Sequence, residues 1–211
     1  MTEAKLIVRE AYDHLAPWYL SWMHSQKSPR ERYTLKVLSN ASKLTSNPHP
    51  TILDLGCGPG IPTTQLLLAQ GARVIANDIS QAQIATARSL CPTATFIPGD
   101  MASLCFKPGS LDGVVCFFTL FHLPRLEQKA MLARVFSWLK AGALLACNFA
   151  TVDEEEIYGE MMGRGIFWSG FGVERNRMMV RDVGFEVVGE EVLESEADGG
   201  MEFMWVVARK S

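Results

Sequence analysis

Residues 52–64 read ILDLGCGPGIPTT, and this stretch decides which kind of fold the chain can adopt. The apolar run ILDL predicts a buried strand, and the glycine-rich segment after it predicts a tight turn into a helix. Gly56, Gly58 and Gly60 carry no side chains, so backbone N–H groups can approach a ligand closely. The following helix points its N-terminus at the same place, which favours a negative group. The stretch predicts a ligand-binding turn, and the alternative is a tight turn that binds nothing.

Strands and helices alternate on the C-terminal side of this turn. Helices are predicted over residues 61–70, ending before Gly71, over 80–90, opening with Ser80 as N-cap, and over 125–140. This alternation predicts an α/β fold, a doubly wound and mostly parallel sheet with helices on both faces. The predicted strands are TILDL (51–55), ARVIAN (72–77), TATFIP (93–98), LDGVVCFF (111–118) and GALLACNFA (142–150).

The two ends of the chain follow other patterns. Residues 3–24 have helical spacing that Pro17 interrupts, and residues 30–44 predict a second helix. Residues 151–170, rich in Glu, Met and Gly, are interpreted as a loop or short-helix excursion, and residues 172–183 as a helix. The last two apolar runs predict an antiparallel pair joined by a glycine-rich turn. The turn segments are SNPHP (46–50) and EADGG (196–200), and the two runs are FEVVGEEVLES (185–195) and MEFMWVVARKS (201–211).

Composition restricts the function classes. The chain has 211 residues, 48% of them hydrophobic, and a net charge of −3, which suits one globular domain. Lys and Arg form no run, so neither nucleic acid nor a membrane surface is expected as a partner. Five irregularly spaced cysteines argue against a disulfide framework or a metal site. We expect no signal peptide, no membrane span and a cytoplasmic location.

Acidic residues follow three successive predicted strands. Asp54 lies in the first strand, Asp78 follows the second, 24 positions later, and Asp100 follows the third. Carboxyl ends of parallel strands meet at one edge, so we expect the three carboxylates to face one cleft. A carboxylate at Asp78 can accept hydrogen bonds from both hydroxyls of a ribose, and Asp100 would lie near an adenine edge. The turn has neither the Lys-Ser/Thr of a P-loop nor the GxGxxG spacing of a dinucleotide turn.

Five motifs in order resemble the class I, Rossmann-like S-adenosylmethionine-dependent methyltransferases of the small-molecule type. The resemblance covers residues 10–150 well and the tail more loosely. The chain departs from the family's usual Gly-Gly before strand five, where it has Gly142-Ala143, which alters only the turn. The motifs are LDLGCGPG (53–60), VIANDIS (74–80), FIPGDMASLCF (96–106), LDGVVCFFTLFHLP (111–124) and LKAGALLACNF (139–149).

The resemblance implies a seven-stranded sheet whose last strand is antiparallel, with S-adenosylmethionine as cofactor. Asp78 would bind the ribose hydroxyls, with Ile79 against the adenine, and Asp100 and Met101 would contact the adenine. The methionine moiety would be lined by Asp54, Gly56, Cys57 and Gly58, and the sulfonium end by Phe117, Thr119 and Leu120. The predicted cofactor site also includes Tyr19, Gly60 and Gln83.

His122 is the best candidate for a general base. It follows the fourth strand, close to where the methyl group should point, and a neutral imidazole can take a proton from a hydroxyl or amine. The alternative is a structural histidine that bonds a backbone carbonyl. Because the sulfonium methyl is already electrophilic, positioning alone can supply much of the rate.

Two regions are predicted to line the acceptor site. An aromatic cluster in the N-terminal helices would form a lid over cofactor and acceptor, or would simply pack cap onto core. The excursion after strand five would form another wall, and its acidic run 153–156 is interpreted as a solvated helix start. The cluster comprises Tyr12, Trp18, Tyr19 and Trp22, and the wall comprises Met161, Met162, Phe167, Trp168, Ser169 and Phe171.

Three functions remain open on these grounds. The first is methyl transfer to an O, N or S atom of a small, largely apolar acceptor by a monomer or homodimer. The second is an RNA or protein methyltransferase, which the acidic composition and the segment CFFT (116–119) disfavour. The third is a cofactor-binding protein with a non-methylating role. The predicted organisation is a single domain, 1–211, with a helical cap (1–45), a cofactor-binding core (51–150), an acceptor-side excursion (151–180) and a terminal β-hairpin (184–211).

Overall fold

A seven-stranded sheet forms the centre of the molecule. The computed structural model describes residues 1–25, 28–44, 47–195 and 199–211, so parts of the predicted turns at 46–50 and 196–200 lie outside it. The spatial order is β3-β2-β1-β4-β5-β9-β8; β1 to β5 are parallel, and β9 runs antiparallel to both β5 and β8. The predicted fold class is confirmed. The strands are β1 (Thr51–Leu55), β2 (Arg73–Asp78), β3 (Thr95–Pro98), β4 (Leu111–Cys116), β5 (Leu139–Ala150), β8 (Phe185–Ser195) and β9 (Met201–Lys210).

Helices cover both faces of the sheet because the strands are apolar on both sides. One face packs against α5 and α6, and the other packs against α2, α3 and α4. Helix α1 packs against the segment that follows β5 and against α4. The helices are α1 (Glu3–Ser25), α2 (Arg30–Leu44), α3 (Thr63–Ala69), α4 (Gln81–Leu90), α5 (Arg125–Trp138) and α6 (Val173–Asp182).

The strand order reverses between β1 and β4, and the glycine-rich turn follows β1 at that point. Connections leave in opposite directions there, so the carboxyl ends of the strands border a crevice. The loops after β1, β2, β3 and β4 all open into this crevice. The fold thus brings together the motifs that the sequence separates by tens of residues.

Residues 154–170 form a β-hairpin, and the loop or short-helix interpretation of this segment was wrong. Strands β6 (Glu154–Met161) and β7 (Arg164–Gly170) pair antiparallel in a sheet of their own. Their two-residue turn places Met162 at φ 51° and Gly163 at φ 73°, the conformation that matches the twist of a hairpin. The acidic run is exposed, as expected, but Glu154–Glu156 belong to a strand. Glutamates and glycines obscure the alternation of side chains that would have identified it.

Helix α1 continues through Pro17, where the sequence predicted an interruption. Proline removes one backbone hydrogen bond and is disfavoured inside a helix. Here the proline ring is exposed, while the opposite side of α1 buries Val8, Ala11 and Leu15. Burial of this apolar side keeps the helix continuous, so its full length lies across the edge of the sheet.

Candidate active site

The glycine turn is pinned to the end of the neighbouring strand. The N–H groups of Gly56 and Cys57 both donate to the carbonyl oxygen of Asn77, at 2.8 and 2.9 Å. Gly56 has a φ of +70°, and a Cβ added there would lie 2.0 Å from Thr119 Oγ1. Glycine is therefore required at this position both by its backbone conformation and by the close approach of Thr119.

Asp78 joins the turn to the start of α4. Its Oδ2 accepts from the Gly58 N–H and its Oδ1 from the Ser80 N–H, each at 2.9 Å. Burial raises the pKa of Asp78 to about 6, against the opposing effect of these backbone donors. Each carboxylate oxygen has two acceptor positions, so both oxygens can accept further hydrogen bonds from a ligand.

A small recess opens beneath the turn, between Asp54 and Arg30. Asp54 is 2% exposed and accepts from Thr64 Oγ1 at 2.6 Å; burial raises its pKa to about 7. Arg30 is 6% exposed and lies 4.2 Å above the ring centre of Phe118. It makes no salt bridge within the described part of the chain, and its hydrogen bonds to neutral groups are long. A buried guanidinium in this state is suited to an anionic ligand group.

Lys5 of α1 reaches Asp100 after β3. Its ammonium lies 2.8 Å from Asp100 Oδ2 and also pairs with Glu127. Lys5 is 4% exposed, and although burial acts to lower its pKa, the two carboxylates together raise it. Asp100 Oδ1 accepts from the Ala102 N–H, so the carboxylate is held in one orientation.

Asp13 attaches α1 to the other side of the same crevice. Its Oδ1 accepts from Ser80 Oγ at 2.6 Å and from the Ala82 N–H at 3.1 Å. Together with Lys5, this contact holds α1 across the crevice, where only about 60 Å³ remains open beneath it. A ligand of nucleotide size therefore requires α1 to move outward.

We call this space the cleft, and ten of the predicted cofactor residues line it. Asp54 and Cys57 line the recess instead. Gly60 and Leu120 line neither: a Cβ at Gly60 would meet Cys91, and Leu120 is buried in the core beside α5. The ten are Tyr19, Gly56, Gly58, Asp78, Ile79, Gln83, Asp100, Met101, Phe117 and Thr119.

A second, larger space of about 470 Å³ adjoins the cleft, and we call it the aromatic cavity. Eight of the ten residues predicted for the lid and the wall line it, and so does His122. Phe167 does not: its side chain is fully buried against α1. Phe171, also expected in this wall, packs against the core and under Arg125. The lining includes the predicted Tyr12, Trp18, Tyr19, Trp22, His122, Met161, Met162, Trp168 and Ser169, and also Arg30, Phe118, Phe121, Glu160 and Phe203.

A hydrogen bond joins Tyr12 to His122 where the cleft meets the aromatic cavity. The Tyr12 hydroxyl lies 3.1 Å from His122 Nε2, and His122 Nδ1 lies 2.8 Å from the Phe167 carbonyl oxygen. A carbonyl oxygen only accepts, so Nδ1 carries a hydrogen and donates it. Burial lowers the pKa of His122 to about 4, so the ring is neutral at pH 7 and Nε2 has no hydrogen. The Tyr12 hydroxyl therefore donates to Nε2.

This arrangement limits what His122 can do alone. Its Nδ1–H donates to the Phe167 carbonyl oxygen, as expected of a histidine with a structural role. Its Nε2 lone pair already accepts from the Tyr12 hydroxyl. A proton would reach Nε2 only through the Tyr12 oxygen. The base assignment stays a prediction, and the structure adds Tyr12 as the group hydrogen-bonded to His122 Nε2.

Several residues around the site were missed by the sequence reasoning. Arg30 and Lys5 occupy ordinary helical positions, and no local signal distinguishes them from surface charges. Phe118 has a φ of 56°, rare for a bulky residue, and its N–H donates to Asn148 Oδ1 at 2.6 Å. Strained backbone of this kind is found at functional sites, and here it directs the Phe118 ring between cleft and cavity.

A family model described as a methyltransferase domain matches residues 52–142. The match covers less than half of the chain. The match spans the glycine turn, Asp78, Asp100 and the segment after β4, which are the motifs on which the resemblance was based. The predicted resemblance to the class I S-adenosylmethionine-dependent methyltransferases is confirmed.

The curated relatives of this chain are named for dissimilar substrates. Over 113 residues the chain is 38% identical to a trans-aconitate 2-methyltransferase of Delftia acidovorans, covering 52% of this chain and 41% of that protein. Over 162 residues it is 27% identical to a sterol 24-C-methyltransferase of Pneumocystis carinii, and the match covers 69% of this chain and 42% of that protein. The chain thus spans about four tenths of the length of these relatives.

Solved structures show the same fold over the whole chain. The magnesium protoporphyrin IX methyltransferase of Synechocystis PCC 6803 with bound S-adenosylmethionine superposes with a TM-score of 0.72 at 20% identity, covering 100% of this chain and 99% of that one. Within the described residues, no helix is long and apolar enough to cross a membrane. The same part of the chain contains no cluster of three potential metal ligands.

Proposed function

We propose that this protein transfers a methyl group from S-adenosylmethionine to an O, N or S atom of a small, largely apolar molecule. The observation that carries the proposal is the junction of two spaces. The cleft has the glycine turn and carboxylates that a nucleoside needs, and the aromatic cavity opens into it past Tyr12 and His122. The named activities of the curated relatives and the bound ligand of the superposed structure support the same chemistry.

The residues of the cleft fit this cofactor. Gln83 is 1% exposed and lines the cleft, yet within the described residues neither polar atom of its amide has a hydrogen-bond partner. Such buried groups cost free energy unless a ligand or water pairs with them. Asp78 would hold the ribose hydroxyls, Asp100 the adenine amino group beside Ile79, and Arg30 the methionine carboxylate.

When bound, the cofactor supplies an electrophilic methyl group on a positively charged sulfur. The protein supplies position and exclusion of water. Helix α1 closes the cleft through Lys5 and Asp13, and the aromatic walls of the cavity hold the apolar body of the acceptor. Tyr12 and His122 form the path by which a proton can leave the acceptor.

Some finer expectations belong to the same proposal. We place the enzyme in the cytoplasm, which its five unpaired cysteines support. We expect a monomer or homodimer with a single-domain organisation and no nucleic-acid partner, in keeping with its acidic composition.

Titration calorimetry with S-adenosylmethionine and S-adenosylhomocysteine tests the cofactor, and transfer of a labelled methyl group to phenols, amines and thiols tests the reaction. We expect micromolar binding of both ligands and transfer to at least one acceptor class. Binding without any transfer would favour the non-methylating alternative. Failure of both ligands to bind would contradict the proposal.

A further inference from the structure

We infer that Tyr12 selects the acceptor by requiring a hydrogen-bond donor, so that the acceptor is a flat, largely apolar molecule bearing a hydroxyl or N–H group and not a carboxylate. The inference rests on the proposed function, since it concerns the group presented to the cofactor. It goes further because it excludes a carboxylate oxygen as the atom that accepts the methyl group.

The first step is the position of Tyr12. Among the described residues, four line both the cleft and the aromatic cavity: Tyr12, Tyr19, Phe118 and His122. A group that reaches from the cavity into the cleft passes between these side chains. Tyr19 faces the recess, where its hydroxyl oxygen lies 3.5 Å from the Arg30 guanidinium. Tyr12 and His122 are thus the polar pair at the passage itself.

The second step is the direction of the hydrogen bonds. The Phe167 carbonyl fixes the hydrogen on Nδ1 of His122, so Nε2 accepts from the Tyr12 hydroxyl. A phenolic oxygen that has donated its one hydrogen can only accept from the next group. A hydroxyl or N–H group on the acceptor can donate to it. A carboxylate has no hydrogen to donate, so its oxygens would face the lone pairs of Tyr12 and would lose solvation without compensation.

The third step is the shape of the cavity. The rings of Trp18 and Trp22 stack with their centres 5.9 Å apart. The rings of Trp168 and His122 also stack, with their centres 6.5 Å apart. Flat aromatic walls favour a planar apolar body. The volume of about 470 Å³ equals roughly 16 water molecules at about 30 Å³ each, which is room for two or three fused rings.

Arg30 also lines the cavity and, among the described residues, is the one cation there that could attract a carboxylate. Its guanidinium stacks on Phe118 and borders the recess beside Asp54 and Gly56, where the proposed function uses it for the cofactor. The acceptor end of the passage is therefore left to Tyr12.

The test compares two probes of equal ring size, 2-naphthol and 2-naphthoate, by titration calorimetry on protein saturated with S-adenosylhomocysteine. Near neutral pH the naphthol is neutral and the naphthoate is ionised. We expect 2-naphthol to bind at least about tenfold more tightly, the size of one good hydrogen bond. Tyr12→Phe should reduce this preference about tenfold, the size of one hydrogen bond, while keeping S-adenosylhomocysteine binding. Tyr158→Phe, the same change on the exposed side of the hairpin, should retain it.

The desolvation cost of naphthoate is the same in both proteins, so the variant isolates the contribution of the Tyr12 oxygen. Equal or tighter binding of naphthoate, an unchanged preference in Tyr12→Phe, or no binding of either probe would each overturn the inference. These outcomes leave the proposed function intact as long as S-adenosylhomocysteine binds. Loss of that binding would instead count against the proposed function.

Discussion

The cleft and the aromatic cavity lie side by side but are built in different ways. The ends of β1, β2 and β3 form about half of the cleft lining, and hydrogen bonds of 2.8 to 2.9 Å hold these strand ends together. Large side chains from α1, the β6–β7 hairpin and β9 form most of the cavity, and ring contacts hold them. The cleft is thus fixed by the core of the fold, whereas the cavity is assembled from attachments to it.

This difference explains how one fold can serve many acceptors. A change in the hairpin alters the cavity without touching the strand ends. A change in the glycine turn alters the cofactor site directly. The curated relatives, which act on trans-aconitate and on sterols, are consistent with that division.

The strongest test of the division is Gly56→Ala. The new Cβ would lie 2.0 Å from Thr119 Oγ1 at a φ of +70°, so the turn must move away from the cleft. We expect affinity for S-adenosylhomocysteine to fall by at least about 100-fold, more than 2.7 kcal/mol, in titration calorimetry. Gly109→Ala is the matched control, with a φ of +65° but no atom within 4 Å, and should bind normally. Normal binding by Gly56→Ala would show that the turn does not hold the cofactor.

Trp168→Ala tests the aromatic cavity in the same way. Removing this half-buried ring takes a wall from the cavity and the stacking partner from His122, a loss of about 2 kcal/mol. We expect kcat/KM for an aromatic acceptor to fall about 30-fold, with S-adenosylhomocysteine affinity within about twofold of the original. Parallel losses of both quantities would mean that cavity and cleft are not independent.

The cleft should also respond to pH through Asp78. Because burial raises its pKa to about 6, the carboxylate accepts ribose hydroxyls fully only above that pH. Lowering the pH from about 8 to about 5 should weaken S-adenosylhomocysteine binding about tenfold. Asp78→Asn should bind weakly at both pH values, with any residual dependence due to Asp54, whose pKa burial raises to about 7. An affinity independent of pH in the unmodified protein would contradict the ribose role.

The raised pKa of Asp78 also makes the stability of the fold depend on pH. A carboxyl group whose pKa is raised in the folded state holds its proton more tightly there than in the unfolded chain. The contribution of Asp78 to the free energy of unfolding is therefore largest below about pH 4 and declines as the pH rises through about 6. His122 acts in the opposite sense, because its lowered pKa costs stability below about pH 6.5. Asp78→Asn should remove the pH dependence of stability that comes from Asp78 and leave the one that comes from His122.

Lys5→Met gives the smallest expected effect and tests how α1 closes the cleft. The variant removes the ion pairs to Asp100 and Glu127, while Asp13 still holds α1 to α4. We expect S-adenosylhomocysteine to dissociate about fivefold faster, about 1 kcal/mol, in stopped-flow measurements. Lys129→Met removes an exposed ion pair to Asp182 and should leave the rate unchanged. Equal rates in all three proteins would mean that Lys5 does not hold α1 closed.

The sequence predicted the secondary-structure elements around the cleft better than those around the cavity, for a physical reason. Strand ends and glycine turns leave local patterns, so the sheet, Asp78 and Asp100 could be located from the residues alone. Lys5 and Arg30 reach the site only because α1 and α2 fold over it, and nothing near them in the sequence shows this. The hairpin was missed because Glu154–Glu156 and three glycines weaken its alternation, and Phe167 was misplaced with it.

A crystal structure with bound S-adenosylhomocysteine tests the central claim most directly. The account predicts the ribose hydroxyls on Asp78, the adenine beside Ile79 with its amino group at Asp100, and the sulfur directed past Tyr12 and His122 toward the aromatic cavity. A ligand bound outside the cleft, or a sulfur directed away from the cavity, would contradict it.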